Sequence, residues 1–381
     1  MRVALACNMP QETSRSIRVY AEHLIPALRQ VDPELDLVEV RVQAWRWPSL
    51  SLPMPYGRAA SLRTLGLYLS RWVRYPLALR RVRADVYHVL DTSYGHLTWF
   101  LPRTRTVVTY HGGGSGLPAR LREWHPAGPA LWLYDLAFRG MLRAGRIVAV
   151  SEFCRQELAV GAGYPLARID VAPHGVDTRF RPPSPAAQEA LRSQLLAPGE
   201  RHLALHVGHG AARKNVEALY RALALLRRDG CPVRLLRIGA APTPAQSRLI
   251  EALGVAGAIT HLPHVANPDL PAFYGAADVF VFPALYEGFG LPLIEAMACG
   301  APVVCSDSPL FREVCGPAAC YADARRPEAL AAAMAGLLGD AALAEGCRAR
   351  GLARAQLFTW ERAARATLEA YRKMEAEWPA R

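Results

Sequence analysis

Lysine is nearly absent from this chain of 381 residues. Of its 45 basic residues only two, Lys214 and Lys373, are lysines, and the other 43 are arginines. Because alanine is also abundant, a coding bias is the simplest explanation, and arginine was the available default at each basic position. A compact ammonium and a planar guanidinium bind phosphate differently. The segment around each lysine therefore deserves a functional explanation of its own.

Several other patterns are missing, and each absence excludes a class of protein. The eight cysteines form no C-x-x-C pair and no zinc-type spacing with histidine, which indicates a reduced protein with structural thiols. No run approaches the roughly 18 apolar residues of a membrane-spanning helix, and the apolar start is too short for a signal peptide. The motifs G-x-x-x-x-G-K-[ST] and H-E-x-x-H are absent as well. We expect a cytoplasmic protein.

The order of apolar runs predicts an α/β protein with two domains. Short apolar runs alternate with helical patterns, which is typical of parallel sheets covered by helices. The predicted strands are 2–7, 85–90, 106–111, 147–152, 169–175, 202–208, 233–239, 258–265, 278–285, 302–306 and 319–322. Residues 177–190, rich in proline and small side chains, indicate a linker. We expect Rossmann-like domains at 1–176 and 177–359, with an amphipathic helix over 360–381 packing back on the first.

Residues 41–83 form an unusually basic segment. They contain nine arginines and no acidic residue, together with three tryptophans and three tyrosines. This composition is typical of contact with an anionic membrane or lipid-phosphate acceptor, of a solvated face over a core helix, or of a site for another polyanion. The sequence leaves these alternatives open. A peripheral position on the inner face of the plasma membrane is compatible with the first, and no nucleic-acid partner is expected.

The segment HVGHGAARKNVEALYRAL (206–223) predicts a strand, a glycine loop and a helix. It is similar to a dinucleotide-binding fingerprint, but Arg213 stands where the third glycine belongs. The acid that binds ribose about 20 residues later in such folds has no good candidate, since Asp229 precedes a strand. A dehydrogenase is therefore disfavoured. Arg213 and Lys214 instead provide positive charge at the start of a helix.

A second segment, PALYEGFGLPLIEAMACGAPVVCSD (283–307), also predicts a strand end, a loop and a helix. Pro292 fits near the first position of that helix, where a missing N–H costs little. The amides of Phe289, Gly290 and Leu291 then lie at the positive end of a helix, which suits phosphate oxygens.

Two carboxylates, Glu287 and Glu295, flank this anion site with seven residues between them. They would repel a phosphate ligand unless each faced its hydroxyl groups, so we interpret them as sugar-facing. No D-x-D motif occurs in the chain, so a divalent-metal clamp is not indicated. Cationic side chains and a helix terminus would take its place.

The stretch EGFGLPLIE (287–295) resembles the Glu, seven residues, Glu signature of the retaining glycosyltransferases of family 4, which have the GT-B fold. The Arg213-Lys214-Asn215 stretch is similar to the donor-phosphate motif of that family. Further segments match in the same order, namely 85–97, 106–111, 150–152 and 173–177. The resemblance covers nearly the whole chain and implies two Rossmann-like domains facing each other across a cleft.

The resemblance also implies a role for each matching residue of the donor site. Glu295 matches the acid that holds the nucleotide ribose, and Glu287 matches the acid that faces the donor sugar. Arg213 and Lys214 match the residues that neutralise the diphosphate, in the ground state and as charge grows on it during transfer. The donor-binding amides are those of Phe289, Gly290 and Leu291.

Four further assignments follow from the resemblance. Gly208 belongs to the donor loop, and His209 stands where many members carry an arginine. Val265 falls where the family contacts the base through its backbone. His111 matches a histidine that orients the donor sugar and stabilises oxocarbenium-like charge, with a capping histidine in a glycine-rich turn as the alternative. The early loop, where a glycine pair is usual, holds Ser14, Arg15 and Ser16 as donor or acceptor residues.

The function that the resemblance implies is metal-independent, retaining transfer of a sugar. The donor would be a nucleotide-diphosphate-sugar, either a UDP- or a GDP-sugar, with GDP-mannose among the candidates, and no cofactor is expected. The acceptor would be a glycan or a lipid-linked molecule in cell-surface polysaccharide or glycolipid biosynthesis. Front-face attack and a covalent intermediate both remain open. A sugar-nucleotide epimerase and a non-catalytic nucleotide-sugar-binding module are the alternatives.

Overall fold

The computed structural model of the protein describes residues 1–11, 15–45, 51–52, 60–112 and 129–378. The chain divides into two compact units, Met1–Pro173 with Trp360–Arg381, and His174–Thr359. Each unit is built on one six-stranded sheet in which all neighbouring strands run parallel. This architecture confirms the predicted α/β class with two Rossmann-like domains.

The first unit has a sheet with the order β2-β1-β5-β6-β7-β8 and a small antiparallel pair, β3 with β4. Its strands are β1 (Arg2–Ala6), β2 (Asp36–Val40), β3 (Ser51–Leu52), β4 (Ala60–Ser61), β5 (Val86–Val89), β6 (Thr106–Tyr110), β7 (Arg146–Ala149) and β8 (Ile169–Val171). The helices before the second unit are α1 (Arg15–Val31), α2 (Leu62–Leu69), α3 (Tyr75–Arg80), α4 (Pro129–Met141) and α5 (Glu152–Ala162). A π-helical turn, Ser70–Arg74, joins α2 to α3.

The second unit has a sheet with the order β11-β10-β9-β12-β13-β14. Its strands are β9 (His202–Val207), β10 (Val233–Ile238), β11 (Ile259–Leu262), β12 (Val279–Phe282), β13 (Val303–Ser306) and β14 (Ala319–Ala322). Its helices are α6 (Pro185–Leu195), α7 (Val216–Arg228), α8 (Pro244–Ala252), α9 (Leu270–Ala276), α10 (Leu291–Ala298), α11 (Pro309–Cys315), α12 (Pro327–Gly339) and α13 (Ala341–Ala355). Apolar side chains of α7, among them Leu219 and Leu223, pack with Val281 of β12 in its core.

The last helix, α14 (Trp360–Glu377), belongs to the first unit. Its buried residues recur at helical spacing, and Leu368 and Tyr371 pack in one core with Leu24 of α1. The Tyr371 hydroxyl also lies 2.6 Å from His88 Nδ1.

Several elements differ from the sequence-based expectations, and they include the short strands β3 and β4, which were not predicted. Strand β2 was missed, because acidic residues interrupt the apolar run of Asp36–Val40 and the strand lies at the sheet edge, where only Val40 is buried. The linker predicted over 177–190 is wrong for its second half, where Ser184 caps α6. Pro185 is the reason for the error, because proline suits the first turn of a helix as well as a linker.

Among the described residues, no single helix has the length and apolar character needed to cross a membrane. Helices α12 and α13 reach that length and apolar character only when they are taken together, and the chain bends by 97° between them.

Candidate functional site

The strand order of the second sheet reverses between β9 and β12, which are neighbours. In open parallel sheets, ligands bind at the carboxyl ends of strands where the order reverses. Strand β9 continues into the loop 208–211, and β12 continues into the loop 283–290. The Leu285 amide donates to the Arg213 carbonyl at 2.8 Å, so a backbone hydrogen bond joins the second loop to the turn that follows the first. These two loops, with the turn Ala212–Lys214 and the helix α10 that follow them, carry all the predicted donor-site residues except Val265.

A tight turn fixes the basic pair. Residues Ala212–Lys214 form a 3₁₀ turn, and Asn215 has a left-handed backbone with φ of 52° before α7 begins. Asparagine tolerates this conformation better than most side chains. Its amide group donates to the carbonyl oxygens of Pro283 and Ala324, at 3.2 and 2.7 Å. Asn215 thus anchors the turn, a structural role that sequence reasoning did not assign.

The basic pair converges on one carboxylate oxygen. Lys214 Nζ lies 2.6 Å from Glu287 Oε1, and Arg213 Nη1 forms an ion pair with the same oxygen. Arg213 also donates to the Tyr286 carbonyl at 3.2 Å. Lys214 is buried and its ammonium lies 4.8 Å above the Phe282 ring. The three side chains form the charge triad of the site, with one positive charge in excess.

Burial and charge act in opposite directions on this triad. Burial raises the pKa of Glu287, but Lys214 and Arg213 outweigh it and hold that pKa below its usual value. The pKa of Lys214 is lowered by burial, although Glu287 opposes the shift. Glu287 is therefore an anion at neutral pH. In this arrangement it faces two cations, a contact that the sugar-facing interpretation did not include.

His209 lies on the exposed side of the same loop. Its Nε2 is 3.4 Å from Arg213 Nη2. Its Nδ1 lies 3.4 Å from the Ala211 amide, so two long contacts compete for the single acceptor nitrogen of a neutral ring. The pKa of His209 is lowered by burial and by the charges of Lys214 and Arg213. His209 therefore adds no positive charge to the site in this state.

Helix α10 places the second acid one turn inside its start. Gly290 precedes the helix with φ of 99°, a conformation that favours glycine. Glu295 accepts a hydrogen bond from the Tyr274 hydroxyl at 2.8 Å, which orients the carboxylate. The Phe289 side chain is buried and stacks on His174 at a centroid distance of 5.1 Å. Only the backbone of Phe289 is thus suited to a ligand contact.

Two predicted residues of this unit remain, Gly208 at the start of the loop after β9 and Val265 on a different loop. The Gly208 amide donates to the Ile238 carbonyl at 2.9 Å, and a Cβ on the adjoining Gly239 would lie 2.0 Å from the Gly208 carbonyl oxygen. Gly208 therefore lies within the packed end of the sheet. Val265 is buried after β11, two strands away from β9. The structure brings Gly208, but not Val265, to the charge triad.

The first unit has its own group of polar residues at strand ends. His111 follows β6, and its Nε2 donates to the Leu90 carbonyl at 2.8 Å. Its ring meets the Tyr20 ring edge-on at 4.8 Å, and burial lowers its pKa despite the nearby Asp91. The structure therefore gives His111 a neutral ring with one nitrogen used by the backbone.

Asp91, directly after β5, is a polar group of this edge that the site prediction omitted. It accepts from Asn8 Nδ2 at 2.6 Å and from the amide and hydroxyl of Ser93 at 2.9 and 2.7 Å. An acid immediately after a buried strand was the signal available in the sequence.

The predicted early-loop residues are described only in part. Ser14 lies outside the described residues, and the backbone of Arg15 and Ser16 forms the start of α1. Across the described ranges, no group of three or more histidine, cysteine, aspartate or glutamate side chains is placed to hold a metal ion.

Two family profiles match the chain in succession. The profile of Glycosyltransferase Family 4 matches residues 17–180, and that of Glycosyl transferases group 1 matches residues 187–354. The O-antigen chain mannosyltransferase B of Escherichia coli is 34% identical over 282 residues, which cover 69% of this chain and 74% of that protein. A D-inositol 3-phosphate glycosyltransferase of Paenarthrobacter aurescens (strain TC1) is 33% identical over 238 residues, 60% of this chain and 58% of the relative, so the match spans less than two thirds of its length.

Solved structures share the fold over almost the entire chain. Sucrose-phosphate synthase from Thermosynechococcus elongatus superposes with a TM-score of 0.74 at 22% identity, covering 99% of both chains. Anabaena Alr3699/HepE, solved in complex with UDP and glucose, has a TM-score of 0.75 at 16% identity, covering 98% of this chain and 100% of that one. At these identities the similarity establishes the fold alone.

Proposed function

The chain belongs to glycosyltransferase family 4, and we propose that it transfers a sugar from a nucleotide-diphosphate-sugar with retention of configuration and without a metal ion. The charge triad is the observation that carries the proposal. Two cations lie at the carboxyl ends of β9 and β12, held in place by one carboxylate and with positive charge in excess. A diphosphate is the anion that fits such a pair.

The proposed chemistry uses these residues as a fixed electrostatic support. As the bond to the sugar breaks, negative charge grows on the departing diphosphate. Arg213 and Lys214 stabilise that charge without reorganising, because Glu287 and the backbone already position them. We propose attack on the same face as the leaving group, with a diphosphate oxygen accepting the acceptor's proton. The first unit, with His111, binds the acceptor and contacts the donor sugar.

The donor and acceptor are proposed from the relatives. A cell-surface polysaccharide acceptor and a mannose donor are supported by the relative named O-antigen chain mannosyltransferase B. A nucleoside diphosphate is supported by the UDP complex of the structural neighbour. We therefore propose a UDP- or GDP-sugar as donor, with GDP-mannose as the first to be tested.

The proposal is tested by binding and then by turnover. Thermal unfolding with UDP, GDP, ADP and dTDP should show stabilisation by one of them, because ligands that bind only the folded state raise its stability. The matching nucleotide-sugars are then incubated with and without glycan and lipid-linked acceptors, and the anomer of the product is determined. Release of a rearranged sugar without acceptor would favour the epimerase, and binding without any turnover would favour the binding module.

Glu295→Gln is expected to weaken binding of the nucleoside and of the nucleoside diphosphate by the same factor, about tenfold. The reason is that a carboxylate on ribose hydroxyls contributes about 1.5–3 kcal/mol, and the amide retains part of it. Isothermal titration with both ligands measures the two factors. Tyr274→Phe, which removes the hydroxyl on Glu295 Oε2, should give a smaller loss of the same pattern. A loss confined to the diphosphate would contradict the ribose role.

We also propose that the protein is a cytoplasmic enzyme bound peripherally to the plasma membrane through the described part of residues 41–83. Four apolar side chains of the helical segment 62–80 are between 39% and 54% exposed, namely Leu65, Tyr68, Val73 and Leu77. Arg80 and Arg81 are exposed beside them. Arg71 and Arg74 instead lie over the rings of Tyr94 and Trp45. Exposed apolar side chains in a segment that also carries exposed arginines suit an anionic lipid surface.

Leu77→Glu should lower the partition coefficient onto phosphatidylglycerol vesicles at least tenfold. The variant loses apolar area that would be buried in the membrane, and its carboxylate is repelled by the anionic lipid. Vesicle co-sedimentation measures this. Leu166→Glu is the matched control, since Leu166 is also exposed but lies outside the segment, and it should bind as the wild type does. Equal binding of both variants would contradict the membrane contact.

A further inference from the structure

The two glycines of the donor loop each lie over a buried polar side chain. A Cβ atom on Gly208 would lie 3.3 Å from His206 Nε2, and one on Gly210 would lie 3.4 Å from Arg237 Nη2. His206 and Arg237 are fully buried and are register partners on β9 and β10, so they share one face of the sheet. Because glycine has no side chain, only backbone covers His206 and Arg237 at these two points.

Arg237 is a buried cation whose guanidinium group lacks hydrogen-bond partners among the described residues. None of its three guanidinium nitrogens has a hydrogen-bond partner anywhere in the described part of the chain. The nearest acceptor oxygens around the Gly210 Cβ position, Gln246 Oε1 and the Ala241 carbonyl, lie 3.7 and 4.0 Å from that point, and Gln246 Oε1 already accepts from the Thr243 amide. An ionised group buried in this way is unfavourable unless something pairs with it. A bound anion explains it more fully than packing does.

The neighbouring groups do not supply that anion. His206 Nδ1 lies 3.0 Å from the Val281 carbonyl and donates to it, and burial lowers the pKa of His206 to about 4, so its ring is neutral. The Tyr220 hydroxyl is close enough to Arg237 for the charge of Arg237 and a side-chain contact with it to oppose the rise in the Tyr220 pKa that burial causes, although the two groups are not within hydrogen-bonding geometry. It therefore remains a neutral phenol. Neither of these two neutral side chains balances the charge of Arg237.

We propose that Arg237 is a phosphate-binding residue of the donor site, which reaches the diphosphate through the space left open at Gly210. Arg237 is the last residue but one of β10, at the carboxyl end where the loops of the charge triad also lie. Its planar guanidinium is always charged and matches two phosphate oxygens. His209, on the surface of the same loop, is neutral and does not provide this charge.

The inference rests on the proposed nucleotide-sugar donor, and its test separates the two. Isothermal titration with UDP, GDP, uridine and guanosine is performed on the wild type, Arg237→Gln and Gly210→Ala. Arg237→Gln should weaken nucleoside diphosphate binding about tenfold to a hundredfold and leave nucleoside binding unchanged, because a charged hydrogen bond is lost. Gly210→Ala, at a residue without positive φ, should cause a severalfold loss of the same kind by covering the guanidinium.

Gly257→Ala is the matched control. A Cβ there would meet no atom within 4 Å, so binding should equal that of the wild type. Wild-type diphosphate affinity in Arg237→Gln, or an equal loss for nucleoside and diphosphate, would overturn the role of Arg237. If Arg237→Gln does not fold, wild-type affinity in Gly210→Ala overturns it instead. A wild-type protein that binds no nucleoside diphosphate would refute the proposed donor, and this inference with it.

Discussion

Lys214→Ala is expected to weaken nucleoside diphosphate binding by about tenfold to a hundredfold and to lower kcat/KM by about a hundredfold to a thousandfold. The first loss reflects one charged contact with a phosphate. The larger second loss arises because the contact strengthens as charge develops on the leaving diphosphate. Lys214 is buried at the carboxyl end of β9 and already held by Glu287, so it acts without reorganisation. Isothermal titration and a transfer assay measure the two losses.

The chain provides its own control, because it has one other lysine. Lys373 pairs with Asp170 at 2.9 Å and is half exposed, far along the sequence on α14. Lys373→Ala should leave binding and turnover unchanged and alter the free energy of unfolding by less than about 1 kcal/mol. Nucleoside binding should also be unchanged in Lys214→Ala. An equal loss for nucleoside and diphosphate would show that Lys214 supports the fold of the loop and not the phosphate.

The fold could be predicted from sequence where patterns repeat. Eleven of the twelve parallel strands of the two large sheets were predicted from short apolar runs, and such runs are the easiest to recognise where both faces of a strand are covered. Strand β2 could not be found in this way, since its exposed edge position permits Asp36 and Glu39. Helix α6 was hidden by Pro185, whose fixed φ suits a first helical turn equally well.

The sequence allowed the residues of the site to be identified, but it did not predict which of their atoms contact each other. Arg213, Lys214 and Glu287 were recognisable as a group, yet only the turn at Asn215 brings both cations to one carboxylate oxygen. Arg237 illustrates the opposite limit. A charged residue inside an apolar strand usually indicates an exposed face, and nothing local in the sequence shows that this one is fully buried beneath Gly210. Its position depends on the pairing of β9 with β10.

The contact between Glu287 and both cations has a consequence opposite in sign to that of Lys214. Glu287→Gln is expected to bind free nucleoside diphosphate about tenfold more tightly than the wild type, while kcat/KM falls at least a hundredfold. A diphosphate that contacts Arg213 and Lys214 comes within roughly 6 Å of the carboxylate, where two like charges repel by about 3 kcal/mol at an effective dielectric constant of about 20. Removing the charge relieves this repulsion. Turnover falls for two reasons. Arg213 and Lys214 lose the carboxylate that positions them, and the donor sugar loses a charged hydrogen-bond acceptor.

Three measurements on Glu287→Gln separate its roles. A diphosphate affinity that is unchanged, with weaker binding of the nucleotide-sugar, would mean that Glu287 serves the sugar alone. A weaker diphosphate affinity would contradict the repulsion. Thermal unfolding as a function of pH provides the third, because the pKa of Glu287 is held below its usual value of 4.5. The stability that this carboxylate contributes is present above that pH and is lost as the pH falls through the lowered pKa, so the variant should be less stable than the wild type at pH 7 and equal to it in strong acid.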